Sequence, residues 1–180
     1  MLTAHPVTKK SKHFQQFVSL YKSAFPVAEQ APIWLILRRA KKDYIKFDAY
    51  YDKEIFAGFT YTVTHKNVTF VLYIAVEATH RSKGYGSQII NRIKEAYPNN
   101  RIILYIEAED ESAENNQQRK KRKQFYIKSG FSSAGINLKM MGVVYEMMTW
   151  NGQCTAEEFS AVNKKFFGSV LYAFLKPKLL

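Results

Sequence analysis

A nine-residue segment combines two glycines with basic side chains, between an apolar run and a helical pattern. It reads Thr79-His-Arg-Ser-Lys-Gly-Tyr-Gly-Ser87. Gly84 and Gly86 allow a tight turn, so successive backbone N–H groups can point at one anion. A helix that begins here adds its unpaired N–H groups and the positive end of its dipole. The segment therefore predicts a site for a phosphate or pyrophosphate group, with Arg81 and Lys83 at its rim.

Other interpretations of this loop compete with that one. A dinucleotide fingerprint needs a third glycine, where this chain has Ile89. A nucleoside-triphosphate loop needs Gly-Lys-Ser/Thr after four spacer residues, and that pattern is absent. Taken alone, the loop also fits an ordinary strand-to-helix turn with basic residues on its surface.

The hydrophobic pattern predicts the elements that position this loop. Apolar spacing indicates a helix over Ser11–Phe25 and a shorter one after Pro32, and then the pattern changes to strands. The strands predicted are Tyr44–Tyr51, Ile55–His65, Val68–Val76, Arg101–Glu107, Ile136–Met140 and Val143–Trp150. Three further helices are predicted. One directly follows the loop, one ends near Gly130, and one begins at the capping-box spacing from Thr155 to Glu158. Since a helix connects Val68–Val76 to Arg101–Glu107, we expect these two strands to be parallel.

Composition excludes several classes of protein. The chain has 180 residues and one cysteine, so an intrachain disulfide cannot form. Its longest apolar run, Phe70–Val76, is far shorter than the ~20 residues of a membrane span, and its start lacks a signal-peptide pattern. We therefore expect a soluble cytoplasmic protein without a membrane partner. The net charge of +12 favours an anionic partner such as nucleic acid, an anionic membrane or a phosphate-rich cofactor, and also fits a scattered basic surface.

Two motifs together resemble the GNAT superfamily of acyl-CoA-dependent N-acyltransferases. The first is Arg-x-x-Gly-x-Gly, which begins at Arg81 after an apolar strand. The second is Phe-Tyr-x-x-x-Gly-Phe, which spans Phe125–Phe131. The resemblance covers residues 1–150, and Ala24–Pro26 with Glu29 looks like a bacterial subgroup. It implies an α/β fold with a mixed, mostly antiparallel sheet, one parallel strand pair splayed at the centre, and flanking helices. Residues 151–180 would form a C-terminal helix and an apolar tail packed on the same domain.

The resemblance also implies how acetyl-CoA would bind. Loop backbone N–H groups would bind the pyrophosphate, and the end of the preceding strand would pair with the pantetheine arm. The loop residues are Arg81, Ser82, Lys83, Gly84, Tyr85, Gly86 and Ser87, and the strand residues are Ile74, Ala75 and Val76. Family members often have an asparagine shortly after the second parallel strand that hydrogen-bonds the pantetheine arm. Asn115 and Asn116 are the candidates for it in this chain. On a helix, Asn115, Arg119, Arg122 and Tyr126 would share one stripe, with the arginines directed at the phosphates or simply at solvent.

Catalytic roles follow from the same resemblance. Tyr126 takes the position of the tyrosine that contacts the thioester sulfur and acts as general acid, although it could be a core aromatic. An amine acceptor with a pKa near ~10 must lose a proton, for which Glu107 is the first candidate base and Glu29 the second. Either carboxylate could instead bind a cationic acceptor or be a solvated charge. We expect Cys154 to take no part, and the four histidines lack metal-ligand spacing, so no metal is expected.

The predicted activity is acetyl transfer from acetyl-CoA to a primary amine, by direct attack in a ternary complex. The alternatives are a non-catalytic acyl-CoA sensor and a basic protein associated with nucleic acid or the ribosome. The run Arg119–Lys123 suggests the latter, but the chain lacks a standard nucleic-acid motif. The apolar stretch Val170–Leu175 could cover a contact in a homodimer.

Overall fold

The computed structural model describes residues 2–140, 142–168, 172 and 178–180. Helices and strands alternate along most of this length. In chain order they are β1 (Thr3–Pro6), α1 (Phe14–Ala24), α2 (Ile33–Arg39), β2 (Ile45–Asp52), β3 (Ile55–His65), β4 (Val68–Val76), α3 (Tyr85–Ala96), β5 (Arg101–Glu107), α4 (Asn116–Lys128), β6 (Ser132–Met140), β7 (Val143–Trp150), α5 (Ala156–Phe167) and β8 (Lys178–Leu179). Short 3₁₀ helices at Val27–Glu29 and Ala78–His80 lie in the connections.

The chain divides into two compact units. The first consists of Met1–Val63 and Val71–Pro98, and the second of Thr64–Phe70 and Asn99–Leu180. Strand β4 contributes its first three residues to the second unit and the rest to the first.

In the first unit the strands follow the order β1-β2-β3-β4. Both β1–β2 and β2–β3 are antiparallel, and the β2–β3 register shifts at Tyr50/Tyr51. The apolar face of α1 packs on these strands through Phe17, whose ring lies 5.0 Å from Phe47 and 4.9 Å from Phe59, both edge-on. Edge-to-face aromatic pairs add stabilisation beyond their buried area.

Proline ends the helices around this core. Phe25, which precedes Pro26, has the extended conformation φ −122°, ψ 140° and caps α1. The proline ring disfavours helical geometry in the residue before it, so the helix ends there. Helix α3 likewise ends before Pro98, after burying Ile89, Ile90 and Ile93.

In the second unit the strands follow the order β4-β5-β7-β6-β8. The parallel pairing of β4 with β5 joins Val68–Phe70 to Arg101–Ile103, although β4 continues to Val76 and β5 to Glu107. Pairing over so few residues is what the predicted splay of this pair requires. Strand β5 pairs antiparallel with β7, and β7 with β6. The predicted fold class, a mixed and mostly antiparallel sheet with one parallel pair, is confirmed.

The predicted capping box of α5 is confirmed. The Thr155 hydroxyl accepts from the backbone N–H of Glu158, whose carboxylate accepts in turn from the N–H of Thr155. The same carboxylate binds the guanidinium of Arg101 on β5, which ties the helix start to the sheet. The inward residues Phe159, Val162 and Phe166 are buried as expected.

The structure adds one strand and leaves other expectations open. Strand β1 was not predicted, because its four residues are all exposed and show no apolar alternation. The suggested dimer contact over Val170–Leu175 lies outside the described residues, except for the buried Tyr172. The boundary at residue 150, and the packing of the tail, stay predictions. Among the described residues, no helix has both the length and the apolarity needed to cross a membrane.

Candidate active site

The loop between β4 and α3 is fixed at its start by Glu77. The N–H of Glu77 donates to the carbonyl oxygen of Ala57 on β3 at 2.9 Å. The Glu77 carboxylate accepts from the N–H of Ala78 at 3.0 Å and caps the 3₁₀ helix that follows. The loop therefore leaves the sheet in one defined direction.

Two residues with positive φ then turn the backbone. Ser82 has φ 63°, and Gly84 has φ 80° and caps the N-terminus of α3. No side chain accepts a hydrogen bond at this cap, and the first N–H groups of a helix have no partner within it. Arg81, Lys83 and Gly84 are exposed. When residues of positive and negative φ alternate in this way, successive backbone N–H groups point to one side of the chain, where they can bind an anion.

The first turn of α3 is held by Tyr85. Its hydroxyl donates to the Asp52 carboxylate at the end of β2, at 2.6 Å, and this hydrogen bond raises the pKa of Tyr85. Gly86 and Ser87 follow in the same turn, so the helical backbone directs their N–H groups toward the start of α3. All of the predicted loop residues thus lie together at one helix N-terminus.

The end of β4 approaches β3 closely at Gly58. A Cβ atom built on Gly58 would lie closer than 3.0 Å to the carbonyl oxygen of Ala75, and 3.1 Å from Cα of Val76. Glycine inside a strand permits this approach of two backbones. Ala75 is buried, whereas Ile74 and Val76 are half-buried. Gly58 therefore sets the position of the strand residues that are predicted to pair with pantetheine.

The segment that carries Glu29 is tied to the same strand. The hydroxyl of Tyr73 on β4 donates to the Glu29 carbonyl at 2.8 Å and accepts from the Ala31 N–H at 3.2 Å. The Tyr21 hydroxyl donates to the Ala31 carbonyl at 3.0 Å. Burial raises the pKa of both tyrosines, so both stay protonated at neutral pH. The backbone around Glu29 is thus held by two neutral hydroxyl groups.

In the second unit, Glu107 lies in a cluster of hydrogen-bond donors from α4. Arg122 Nη1 is 2.7 Å from one carboxylate oxygen and Arg119 Nη2 is 3.3 Å from the other. The Asn115 amide nitrogen is 3.3 Å from both. Burial opposes ionisation, but the hydrogen bonds from Arg122 and Asn115 and the charges of both arginines outweigh it and lower the pKa of Glu107. This carboxylate stays charged at neutral pH and binds protons weakly.

The predicted stripe of α4 is therefore directed at protein atoms. Arg119 is buried, and besides Glu107 it donates to the Asn115 side-chain oxygen at 2.8 Å and to the Ala108 carbonyl at 2.9 Å. The Asn116 side-chain oxygen accepts from the Asp110 N–H at 2.9 Å. The contacts of Asn115, Arg119 and Arg122 with coenzyme A stay predictions, and the geometry assigns Arg119 chiefly to holding α4.

Tyr126 follows one turn later on α4. It is 6% exposed, and its ring lies edge-on to Phe131 at 5.7 Å. Burial raises its pKa to about 12, against the opposing charge of Arg122. Within the part of the chain that the structure describes, its hydroxyl has no hydrogen-bond partner. Tyr126 thus offers a protonated hydroxyl to which no other described residue is hydrogen-bonded.

Cys154 and the side-chain types that can bind metal ions are further candidates for a role in acyl transfer. Cys154 is buried, and burial raises its pKa to about 11, so the thiol is a poor nucleophile at neutral pH. No three His, Cys, Asp or Glu side chains of the described residues are placed to hold a metal ion. The expectations that Cys154 is inert and that no metal is needed stay predictions.

Three positioning residues were missed from the sequence. Gly58 could have been found, because a glycine inside an otherwise β-branched and aromatic strand often marks a close backbone approach. Asp52 and Tyr73 carried no signal, since their partners Tyr85 and Glu29 lie 33 and 44 residues away.

Comparison with known proteins identifies the family of this chain. The family model for the acetyltransferase (GNAT) domain matches residues 43–133, about half of the chain. The chain therefore belongs to the GNAT acetyltransferase family. No curated protein matches it in sequence at a significant level.

Solved structures share the fold at low sequence identity. One, described as a GNAT-family acetyltransferase from Bacteroides thetaiotaomicron, has a TM-score of 0.69 and 17% identity, covering 94% of this chain and 98% of that one. Spermidine N-acetyltransferase from Vibrio cholerae, in complex with CoA and spermine, has a TM-score of 0.66 and 13% identity, covering 83% and 94%. An aminoglycoside 6'-N-acetyltransferase complexed with coenzyme A has a TM-score of 0.65 and 13% identity, covering 82% of this chain and 96% of that one.

Proposed function

We propose that this protein transfers the acetyl group of acetyl-CoA to a primary amine, by direct attack in a ternary complex. The observation that carries the proposal is the uncapped N-terminus of α3, which follows two residues of positive φ, Ser82 and Gly84, in an exposed loop. A pyrophosphate is an anion that such a helix N-terminus suits, and it is part of coenzyme A.

Backbone groups provide most of the proposed cofactor contacts. The N–H groups of the loop would bind the two phosphates, with Arg81 and Lys83 adding charge at the rim. The end of β4, at Ile74–Val76, would pair with the amides of the pantetheine arm as an added strand would. A backbone N–H at Ala75 or Val76 would then stabilise the oxyanion that forms on the thioester carbonyl.

Tyr126 is proposed as the general acid. A hydroxyl with a pKa of about 12 is protonated at neutral pH and can give its proton to the departing CoA thiolate. The amine nitrogen would bond to the carbonyl carbon to give the oxyanion and lose its extra proton to a base. The C–S bond would then break as the carbonyl re-forms, and the departing thiolate would take the proton of Tyr126.

We propose different roles for the two carboxylates. Glu107 binds protons weakly because two arginines hold it, so we propose that it positions α4 and Tyr126 rather than accepting a proton. Glu29 is then the proposed base or ammonium-binding group, on a segment that Tyr73 fixes to β4. The acceptor amine must reach the thioester as a free base.

Release of free CoA thiol tests this function. The purified protein would be incubated with acetyl-CoA and a panel of amines that includes spermidine, an aminoglycoside and a peptide α-amine, since similar structures are named for such acceptors. We expect at least one amine to raise thiol release well above hydrolysis, and Gly84→Val to abolish that increase. Binding of acetyl-CoA without turnover on any amine would instead support the acyl-CoA sensor.

A further inference from the structure

A large groove in the first unit is separate from the residues assigned to acetyl transfer. Its volume is about 810 Å³, and it is bordered by residues 6–10, by α2 and by the start of β2. Its floor is apolar and consists of Val7, Ile45 and Phe47, which are buried. Leu37 and Trp34 of α2 line its side, and Trp34 is 60% exposed. An indole that remains in water beside an apolar floor is typical of a binding surface.

The rim of the groove is strongly basic. Lys9, Lys10, Arg38, Lys41 and Lys46 all line it. Lys46 lies 4.0 Å from Asp48, the one acidic lining residue, which is buried and whose pKa burial raises. Among the described residues, the other four cations form no salt bridge.

Several basic residues outside the groove form salt bridges. Lys120 binds Glu111 at 2.8 Å, Lys123 binds Glu146 at 2.8 Å, and Arg101 binds Glu158. Acidic partners are scarce near the groove, because residues 1–42 contain eight lysines and arginines but only one acidic residue, Glu29. The positive charge around the groove is therefore not neutralised within its own segment.

We propose that this groove docks an acidic segment of a partner protein, anchored by one or two large apolar side chains. The apolar floor calls for side chains that leave water on binding, and the unpaired cations call for carboxylates around them. A nucleic acid would satisfy the cations but leave the floor of Val7, Ile45 and Phe47 unfilled, so the observations favour a peptide. The docking does not depend on acetyl transfer, because none of the residues that line the groove is assigned to that reaction.

Fluorescence of Trp34 tests the docking directly. The chain has two tryptophans, so the Trp150→Phe variant of the full chain reports on Trp34 alone. The probe is a short synthetic peptide of glutamate interspersed with leucine and phenylalanine, titrated at low salt. We expect a blue shift of Trp34 emission and protection from acrylamide quenching. The same peptide with serine for leucine and phenylalanine, or with glutamine for glutamate, should bind at least about tenfold more weakly.

Variants distinguish the groove from general basicity. Anisotropy of the labelled peptide should show that Trp34→Ala raises Kd by about tenfold or more, because exposed aromatic anchors dominate such contacts. The double change Lys9→Glu and Lys41→Glu should raise Kd by about tenfold, while Lys164→Glu, an exposed cation on α5, should change it by less than about twofold.

Three outcomes would overturn the proposal. The first is no binding of the acidic–apolar peptide at millimolar concentration. The second is binding that Trp34→Ala leaves unchanged. The third is tighter binding of a short oligouridylate that the rim variants weaken equally, which would identify the groove as a nucleic-acid site. Thiol release from acetyl-CoA is measured on the same variants, so failure of docking and failure of catalysis are separable.

Discussion

Replacing Gly58 by alanine should displace the end of β4 while every side chain proposed to react is kept. The added Cβ would lie closer than 3.0 Å to the Ala75 carbonyl oxygen, which is backbone and cannot swing aside. An ordinary Cβ contact begins near 3.4 Å, so the two strands must separate by about half an ångström or more.

The size of the effect follows from that displacement. Overpacking a well-packed interior destabilises by about 1–3 kcal/mol. A displacement of ~1 Å at a reacting centre lowers the rate by up to about a hundredfold. A displacement of about half an ångström should therefore lower it by about tenfold. Since Ala75 and Val76 are proposed to meet the pantetheine arm and the thioester carbonyl, we expect KM for acetyl-CoA to rise and kcat/KM to fall by at least about tenfold.

A matched variant separates displacement from loss of stability. Val63 lies on the same strand and is fully buried, so Val63→Ala should destabilise by about 2–3 kcal/mol through a cavity while leaving β4 in place. Steady-state kinetics by thiol release and thermal unfolding would be measured on both. Gly58→Ala should lose activity and Val63→Ala should keep it below its Tm. Equal KM and kcat for Gly58→Ala and wild type would refute the role assigned to this close approach.

Three further predictions concern titratable groups. Tyr126→Phe should lower kcat by about 10–100-fold with little change in CoA affinity, and unchanged kcat would reduce Tyr126 to a packing role. Glu107→Gln should destabilise by about 1–2 kcal/mol at neutral pH because two arginines lose their counter-charge. Since the pKa of Glu107 is lowered in the folded state, its contribution is present above the ordinary value near 4.5 and is lost as pH falls through the folded pKa, so the two unfolding curves should converge in acid. Asp48 has the opposite sign, because burial raises its pKa. Asp48→Asn should therefore be neutral or stabilising at neutral pH, by up to about 1 kcal/mol, and this gain should decrease as pH falls from the raised pKa to the ordinary value near 3.8. A gain for Asp48→Asn that persists in acid, by urea unfolding, would contradict the burial argument.

Much of the fold could be predicted from the chain because its elements have strong local signals. Strands β3, β4, β5 and β7 have the predicted bounds, since each is a run of β-branched and aromatic residues between polar breaks. The capping box of Thr155 needs only residues three apart. Strand β1 escaped prediction because its stability comes from pairing with β2, not from its own residues.

The candidate site likewise has one part with a local sequence signal and one part that depends on distant contacts. The anion-binding loop is local, so its glycines and basic residues were visible in sequence. The cluster at Glu107 could not be predicted in full, because Arg119 and Arg122 reach it across 12 and 15 residues, and the outcome depends on which face of α4 meets β5. The helical spacing indicated that these side chains share a stripe, but not that the stripe faces a carboxylate.

Isothermal calorimetry of coenzyme A binding tests the central claim most directly. We expect wild-type protein to bind coenzyme A with a micromolar Kd, and Gly84→Val to weaken it by at least about tenfold, because φ 80° is strained for a β-branched residue and the N–H groups turn away. A folded wild-type protein that gives no binding heat at any temperature tested, or a Gly84→Val variant that binds equally well, would contradict the claim that the start of α3 holds the cofactor's pyrophosphate.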